Sequence, residues 1–317
     1  MKGRNVKRPK ILFVAQDIGA FNALVPAVEK MRRRWKVLAV LAGVSRRTAR
    51  KRGLKFCDAG SIARKELENL VLDFGPDAVL AGTSGGRSVD KIVLEIAGKR
   101  GIPTVSFVDF WTNYAARFKQ NRLPDHIMVV DRRMKKEMVA EGFPSEKFVV
   151  VGDPRFDAQP SYSSFRPRCG KPTVLFVDQP LKKLIVAGWH KNYGYDELVV
   201  FRHLLEALEK MRFDGKILIK FHPATRDLRK YDKIGKDFKI RLAFVRSGSE
   251  NAVKSADLIF GATSAFLLEA ALAGKIVVSY QPGLLGGGPI ARWATWHSPP
   301  DSRKIPFGGQ ITEIIEK

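Results

Sequence analysis

The sequence predicts an α/β protein made of two domains, each a parallel sheet covered by helices. Apolar strands alternate with helical patterns along the 317 residues, as in parallel α/β folds. The alternation is interrupted once, between residues 153 and 172, where Pro, Ser and Arg are frequent. We therefore predict an N-terminal domain at residues 1–156, a linker at 157–172 and a C-terminal domain at 173–317.

The N-terminal half starts with an apolar strand, a turn at residues 16–22 and a helix. In that helix Leu24, Val25, Val28 and Met31 recur at helical spacing. The same reasoning predicts strands at 10–15, 36–42, 78–81, 104–108, 127–130 and 148–151, and helices at 23–34, 62–72, 88–99 and 132–141.

The C-terminal half repeats the alternation after the linker. A long helix at 196–211 carries an apolar stripe. The strand that follows, at 216–221, ends just before Pro223. The predicted strands are 173–177, 216–221, 243–245, 258–260 and 275–280, and the further helices are 249–255 and 264–273. Open α/β sheets bind ligands at the carboxyl ends of their strands, so we expect a cleft where two such edges face each other.

Charge is the second strong signal in the chain. The formal net charge is +24, and residues 1–156 hold 31 basic against 16 acidic residues, an excess of 15. This density predicts an anionic partner, either nucleic acid, lipid headgroups or an acidic polymer. A solvated, thermophile-like surface is the alternative.

Other classes of protein are disfavoured. No apolar run of about 18 residues is present, and the basic start leads into a short apolar strand and not into the apolar h-region of a secretory signal, so we expect a cytosolic protein. Peripheral contact with the inner membrane face is compatible with the charge. Cys57 and Cys169 are far apart, which predicts neither a disulfide framework nor a zinc site.

The segment at 255–283 is the most informative for function. Gly261, Thr263 and Ser264 lie in a small-residue turn that opens a helix, where backbone N–H groups can receive a phosphate. Glu269 follows five residues after Ser264 and can accept hydrogen bonds from a ribose diol. A capped core helix with a solvent-facing Glu269 explains the same pattern.

The stretch TSAFLLEAALAGK, residues 263–275, resembles the donor-binding segment of GT-B glycosyltransferases, especially lipid-A-disaccharide synthase, and of UDP-N-acetylglucosamine 2-epimerase. The resemblance implies a GT-B fold of two Rossmann-like domains, with a nucleotide sugar held mainly by the C-terminal one and Glu269 on its ribose. The paired acidic residues of the epimerases are not reproduced, because Leu268 precedes Glu269.

Two further C-terminal loops carry candidate donor contacts. His222, next to Pro223 and near Arg226, can bind a phosphate oxygen or protonate a leaving group. This His-Pro pair is similar to that of glycerophosphate-polymer transferases and bacterial sialyltransferases. Gly286 and Gly287, in a glycine-rich loop, can wrap a diphosphate through their N–H groups, unless the loop is merely flexible.

Three N-terminal loops carry the other candidates. Gly19 resembles the glycine that GT-B enzymes place near the donor phosphates, and no complete GxGxxG is present. Asp17 is a candidate general base or a helix cap, and Asp109 is the preferred base. We expect acceptor contacts from a Gly/Ser-rich loop and from an exposed aromatic loop: Ser84, Arg87, Trp111, Tyr114 and Arg117.

Together these features predict a glycosyltransferase that uses a nucleotide sugar, UDP-linked by the resemblance, and requires no metal or other cofactor. The acceptor is an envelope polysaccharide or lipid-linked glycan, or alternatively a nucleic acid, since phage DNA glucosyltransferases share the GT-B fold. The remaining alternatives are a sugar epimerase, a glycerophosphate-type transferase supported by His222-Pro223 alone, and a non-catalytic nucleic-acid-binding protein.

Overall fold

A computed structural model describes residues 8–111, 113–118, 122–155, 170–187, 192, 194–223, 225, 227–245, 249–282 and 311–315, the last range as backbone only. The chain divides into two compact units, Met1–Ala158 and Gln159–Lys317. None of the helices in these ranges is long and apolar enough to cross a membrane.

The N-terminal unit alternates strands and helices. Its strands are β1 (Lys10–Ala15), β2 (Lys36–Leu41), β3 (Cys57–Asp58), β4 (Ala78–Ala81), β5 (Thr104–Val108), β6 (His126–Val129) and β7 (Phe148–Val150). Its helices are α1 (Ile18–Met31), α2 (Gly43–Lys51), α3 (Arg64–Phe74), α4 (Val89–Lys99), α5 (Tyr114–Arg117) and α6 (Arg132–Ala140), with a 3-10 turn at Ser145–Lys147.

The seven strands form one parallel sheet in the order β3-β2-β1-β4-β5-β6-β7. The chain order reverses between β1 and β4, so the loops after these two strands flank the switch point where doubly wound folds bind ligands. Helices cover two apolar cores. One contains Phe13, Phe21 and Phe107, and the other contains Leu12, Leu67 and Val93.

The C-terminal unit has the same plan. Its strands are β8 (Thr173–Val177), β9 (Lys216–Lys220), β10 (Arg241–Phe244), β11 (Leu258–Gly261), β12 (Val277–Gln281) and β13 (Ile311–Ile315). Its helices are α7 (Leu181–Val186), α8 (Glu197–Lys210), α9 (Lys230–Gly235), α10 (Ser249–Ser255) and α11 (Ala265–Leu272).

These strands form a parallel sheet in the order β10-β9-β8-β11-β12-β13, with the switch point between β8 and β11. The core of this unit is aromatic: Phe176, Phe201 and Tyr231 pack with ring centroids 4.7–5.4 Å apart. The predicted class, two α/β units with parallel sheets, is confirmed.

The sequence-based bounds were wrong in a few places. The segment predicted as a turn at 16–22 is mostly the first part of α1, because Ala20 and Phe21 pack into the core and extend the helix back to Ile18. The basic segment after β2 contains α2, whose buried positions are only Ser45 and Ala49, four residues apart. The short helices α7 and α9 were not predicted.

Candidate functional site

In the N-terminal unit, the loops after β1 and β4 are tied together across the switch point. The backbone N–H of Asp17 donates to Oγ of Ser84 at 3.1 Å, and the N–H of Gly85 donates to Oδ2 of Asp17 at 3.3 Å. Ser84 in turn donates its own N–H to Oδ2 of the buried Asp90 at 2.7 Å. Two loops distant in sequence therefore present the carboxylate of Asp17 at the carboxyl edge of the sheet.

The pKa of Asp17 is raised above its ordinary value. Partial removal of the carboxylate from water is the largest cause. The negative charges of Asp90 and Asp109 act in the same direction, while the Gly85 N–H and Arg117 oppose them. A carboxylate with a raised pKa is the better proton acceptor, so Asp17 has the electrostatics of a general base.

Asp109 has a different environment. Its Oδ1 pairs with Nη1 of Arg117 at 2.7 Å, and both side chains are 13% exposed. The same Nη1 donates to the carbonyl oxygen and to Oγ1 of Thr83, at 3.0 and 3.1 Å. Arg155 donates to the carbonyl oxygen of Asp109 at 3.3 Å. Gly19 lies against the Asp109 carboxylate, where a side chain at position 19 would collide with it.

The aromatic loop was expected to be exposed, and this expectation was wrong. Trp111 is 4% exposed and Tyr114 is 2% exposed, because their polar atoms reach partners at α6. Nε1 of Trp111 donates to Asp131 at 2.9 Å, and the hydroxyl of Tyr114 donates to Glu137 at 2.8 Å. The rings therefore belong to the interior and offer no stacking face to an acceptor.

The other three predicted acceptor contacts differ in their exposure to solvent. Ser84 is fully buried, so the expectation that it contacts an acceptor is also corrected. Arg117 is partly buried and engaged with Asp109 and Thr83. Arg87, in the same loop as Ser84, is exposed to solvent.

In the C-terminal unit, a buried carboxylate that sequence reasoning missed organises the strand ends. Asp178 follows β8 and is 1% exposed. It accepts hydrogen bonds from the His222 N–H at 3.1 Å, from Thr225 Oγ1 and from the Tyr231 hydroxyl, and it pairs with Nζ of Lys230 at 2.7 Å. The loop that contains His222 is thus fixed from the neighbouring strand.

His222 is half-buried after β9. Burial is the largest cause that lowers its pKa, and Lys220, Lys230 and Lys183 add to it, while Asp178 opposes it. A histidine with a lowered pKa is neutral near pH 7, and its ring then has one N–H donor and one acceptor nitrogen.

The small-residue turn after β11 is packed more tightly than expected. A Cβ atom on Gly261 would lie 3.1 Å from the carbonyl oxygen of Val177, so this glycine lets the strands and α11 approach each other. Thr263 is buried and donates both its N–H and its hydroxyl to Oε1 of Gln179, at 2.9 and 3.1 Å. Ser264 caps α11, accepting the Phe266 N–H at 3.3 Å.

Glu269 and Lys220 are electrostatic partners at this edge of the sheet. Glu269 is a half-buried carboxylate on α11, a helix whose other buried residues are apolar. Lys220 ends β9, and its ammonium group lies 4.3 Å from the centroid of the Phe266 ring. Burial lowers the pKa of Lys220, while Glu269 and Asp178 oppose that shift. A cation, an anion and His222 thus meet at one sheet edge.

Comparison with solved structures identifies this architecture. Over 91% of this chain and 86% of the other, the UDP-GlcNAc 2-epimerase from Neisseria meningitidis bound to UDP-GlcNAc matches with a TM-score of 0.62 and 14% identity. The S. aureus MnaA–UDP co-structure matches over 96% of this chain and 83% of its own, with a TM-score of 0.63 and 13% identity. MurG from Acinetobacter baumannii matches over 97% of this chain and 86% of its own, with a TM-score of 0.54 and 15% identity. The chain has the GT-B fold.

The GT-B resemblance predicted from residues 263–275 is therefore confirmed at the level of the fold. No protein-family model matches the sequence, and no curated protein matches it significantly. Structural neighbours of this GT-B chain include both glycosyltransferases and UDP-GlcNAc 2-epimerases. Identities of 12–17% carry the fold and leave the reaction to be argued from the site.

Three predicted donor contacts of the GT-B chain, Arg226, Gly286 and Gly287, lie outside the described residues. Asp178 and Gln179 are polar residues at the sheet edge that sequence reasoning did not select. A signal was present for both, because they directly follow an apolar strand.

Proposed function

We propose that the chain is a glycosyltransferase that uses a nucleotide sugar, with the C-terminal unit binding the donor. The observation that carries this proposal is the grouping of Lys220, His222 and Glu269 at the carboxyl edge of the C-terminal sheet. Doubly wound sheets bind nucleotides at this edge. Two neighbours of the same fold were solved with UDP-GlcNAc or UDP bound.

Each member of the group has a distinct proposed role. Glu269 accepts hydrogen bonds from the two ribose hydroxyls, as a carboxylate with two oxygens can. Lys220 neutralises the diphosphate, and neutral His222 donates an N–H to a phosphate oxygen as the bond to the sugar breaks. Thr263 and Gly261 support the turn by packing and hydrogen bonding, and Ser264 holds the start of α11.

In the N-terminal unit, we assign the general base to Asp17 and a supporting role to Asp109. The pKa of Asp17 is raised although the residue is reached by solvent, whereas Asp109 is committed to Arg117. The acceptor supplies a hydroxyl whose proton moves to an oxygen of Asp17 as the hydroxyl oxygen attacks the anomeric carbon. The nucleoside diphosphate leaves with the electrons of the broken bond.

For the acceptor, we propose an anionic molecule. Helix α2 presents Arg47, Arg50 and Lys51 to solvent, and Arg33 and Arg34 are exposed after α1. A lipid-linked or polysaccharide acceptor at an anionic membrane surface fits this charge. A nucleic acid acceptor fits it too and predicts salt-sensitive DNA binding in the absence of vesicles.

An epimerase is the second candidate, because UDP-GlcNAc 2-epimerases of the same fold are among the structural neighbours. The two reactions differ in their products. An epimerase converts UDP-GlcNAc without any acceptor, whereas a transferase releases UDP in proportion to glycosylated acceptor.

The proposal is tested by calorimetric titration of UDP and UDP-GlcNAc into the wild type, Glu269→Gln and Glu206→Gln. Glu206 is an exposed carboxylate on α8 and serves as the matched control. We expect Glu269→Gln to weaken UDP binding about tenfold or more, since hydrogen bonds to a charged group contribute about 1.5–3 kcal/mol. Absence of nucleotide binding to the wild type would refute the donor site.

A further inference from the structure

The N-terminal unit contains a cavity with several charged lining residues, at the edge of the sheet opposite to Asp17. Its volume is about 660 Å³, and its lining includes Thr104, the first residue of β5, and Asp125, which directly precedes β6. The loops discussed above follow the other ends of these strands. Four residue steps separate the two ends of β5, roughly 13 Å at about 3.3 Å per residue. A ligand in this cavity would therefore be separate from the site at Asp17 and Asp109.

The cavity has a surplus of positive charge. Its charged lining residues are Lys99, Arg122, Lys147, Glu95 and Asp125. Glu95 is 12% exposed and lies among three cationic groups: Nη2 of Arg64 at 2.7 Å, Nη1 of Arg122 at 2.8 Å and Nζ of Lys99 at 3.6 Å. With Arg64 included, four cations face two carboxylates.

The second carboxylate is also satisfied. Oδ2 of Asp125 accepts the N–H and the hydroxyl of Thr104, both at 2.8 Å, and the pKa of Asp125 is lowered, chiefly by the hydrogen bond from that hydroxyl. Lys147, whose Nζ donates to the carbonyl oxygen of Pro124 at 2.9 Å, also lowers it by charge. An anion that enters the cavity would thus find more cations than carboxylates. Both carboxylates already accept hydrogen bonds or pair with cations.

We propose that this cavity binds a small phosphorylated organic anion. Arg122, Lys99 and Lys147 come from three different segments and would surround its phosphate, a geometry suited to charge-assisted hydrogen bonds. Leu94, Leu123 and Pro124 supply apolar wall for the organic part. The volume lies within the range of sites that hold small organic ligands, about 300–1,000 Å³. This inference is independent of the proposed transferase activity.

The test is calorimetric titration of ribose 5-phosphate into the full chain at low salt. The test variant is Arg122→Met combined with Lys147→Met. The control is Arg100→Met, which removes an exposed cation paired with Glu68 near the cavity but outside its lining. We expect about tenfold weaker binding or more in the double variant and unchanged binding in the control. Binding should also weaken as salt is raised.

Two further measurements separate the outcomes. Lys220→Met removes a cation of the proposed donor site, and it should leave ribose 5-phosphate binding unchanged. Lysine acetylation of the wild type, followed by mass spectrometry, should show Lys99 and Lys147 protected by ribose 5-phosphate and the exposed Lys65 unprotected. This measurement needs no variant, so a folding defect in the double variant does not obscure the result. Absence of binding, loss of binding in Lys220→Met, or no protection of Lys99 and Lys147 overturns the proposal.

Discussion

The carboxylate of Asp109 occupies the space next to Gly19, so that a Cβ atom at position 19 would lie 1.9 Å from Oδ2. Gly19 is the second residue of α1, and its backbone is not in the left-handed region. The glycine is therefore required for close approach and not for its backbone angles. This contact couples the start of α1 to the Asp109–Arg117 pair after β5.

We predict that Gly19→Ala disrupts this pair and destabilises the protein. The new methyl group must displace the Asp109 carboxylate from Arg117 or shift α1, and overpacking of this kind costs about 1–3 kcal/mol. Urea unfolding gives the free energy of unfolding. Gly98→Ala is the control, because a Cβ at position 98 in helix α4 contacts nothing, and it should leave stability equal or slightly higher. Equal stability of the wild type and Gly19→Ala would contradict the prediction.

Asp178→Asn should be strongly destabilising. The variant leaves Lys230 without its full counter-charge in a buried position, a change that costs about 3–5 kcal/mol. Asp214→Asn is the control, because Asp214 and its partner Lys171 are both exposed. That change should stay within about 0.5 kcal/mol. Denaturant unfolding of the three proteins at neutral pH compares them directly.

The contribution of Asp178 should also depend on pH. Burial raises its pKa, but hydrogen bonds from Lys230, Thr225 and Tyr231 outweigh this, and the folded-state pKa is lowered. A lowered pKa stabilises the folded state above the unfolded value of about 3.9, and that stability is lost as the pH falls through the folded value. The difference between the wild type and Asp178→Asn should therefore shrink under acid. A difference that grows as the pH falls below 4 would have the wrong sign.

Trp111→Phe tests the buried position of the aromatic loop. The substitution removes the indole N–H that Asp131 accepts at 2.9 Å and leaves an oxygen of this half-buried carboxylate with one donor fewer, which costs about 1–3 kcal/mol. Trp35→Phe is the control, because Trp35 is 36% exposed. If Trp111 instead bound an acceptor, its replacement would leave the free energy of unfolding unchanged.

Much of the fold was accessible from the sequence because strands and helices leave local patterns. β1, β4, β5 and β8 have the predicted bounds, since each is a short apolar run between turn residues. Helix α2 lacks an apolar stripe, because four of its nine residues are Arg or Lys. Only the pair Ser45 and Ala49 reveals its buried side.

The site was harder to predict because its contacts are distant in sequence. The carboxylate of Asp178 has its partners at Tyr231 and Lys230, more than fifty residues away, and no local sequence pattern predicts these contacts. The aromatic loop was misread for the same reason: the partners of Trp111 and Tyr114 lie twenty or more residues further on, at Asp131 and Glu137.

Lys220→Met should distinguish contacts to the diphosphate from contacts to the nucleoside. The ammonium group is half-buried at the end of β9, near His222 and Glu269. If it neutralises phosphate, its loss should weaken UDP binding about tenfold or more and leave uridine binding unchanged. Lys210→Met, at the exposed end of α8, is the control. Equal weakening for UDP and uridine would mean that Lys220 acts on the fold of the site.

The pKa of Asp17 should lie above, and that of Asp125 below, the ordinary value of an aspartate carboxyl group. Burial and the neighbouring carboxylates raise the first pKa, whereas the Thr104 hydroxyl lowers the second. Carboxyl carbon NMR spectra recorded between pH 2 and 7 measure both midpoints in one sample, so each residue serves as the reference for the other.

If Asp17 is the base, Asp17→Asn should lower kcat by about 10²–10⁴ and leave UDP binding unchanged. The control is Asp73→Asn, which replaces an exposed carboxylate on α3 and should change neither quantity. Because the deprotonated form accepts the proton, the wild-type rate should fall as the pH drops through the raised pKa of Asp17. If the rate of Asp17→Asn fell in the same way as the pH drops, the base would be another residue.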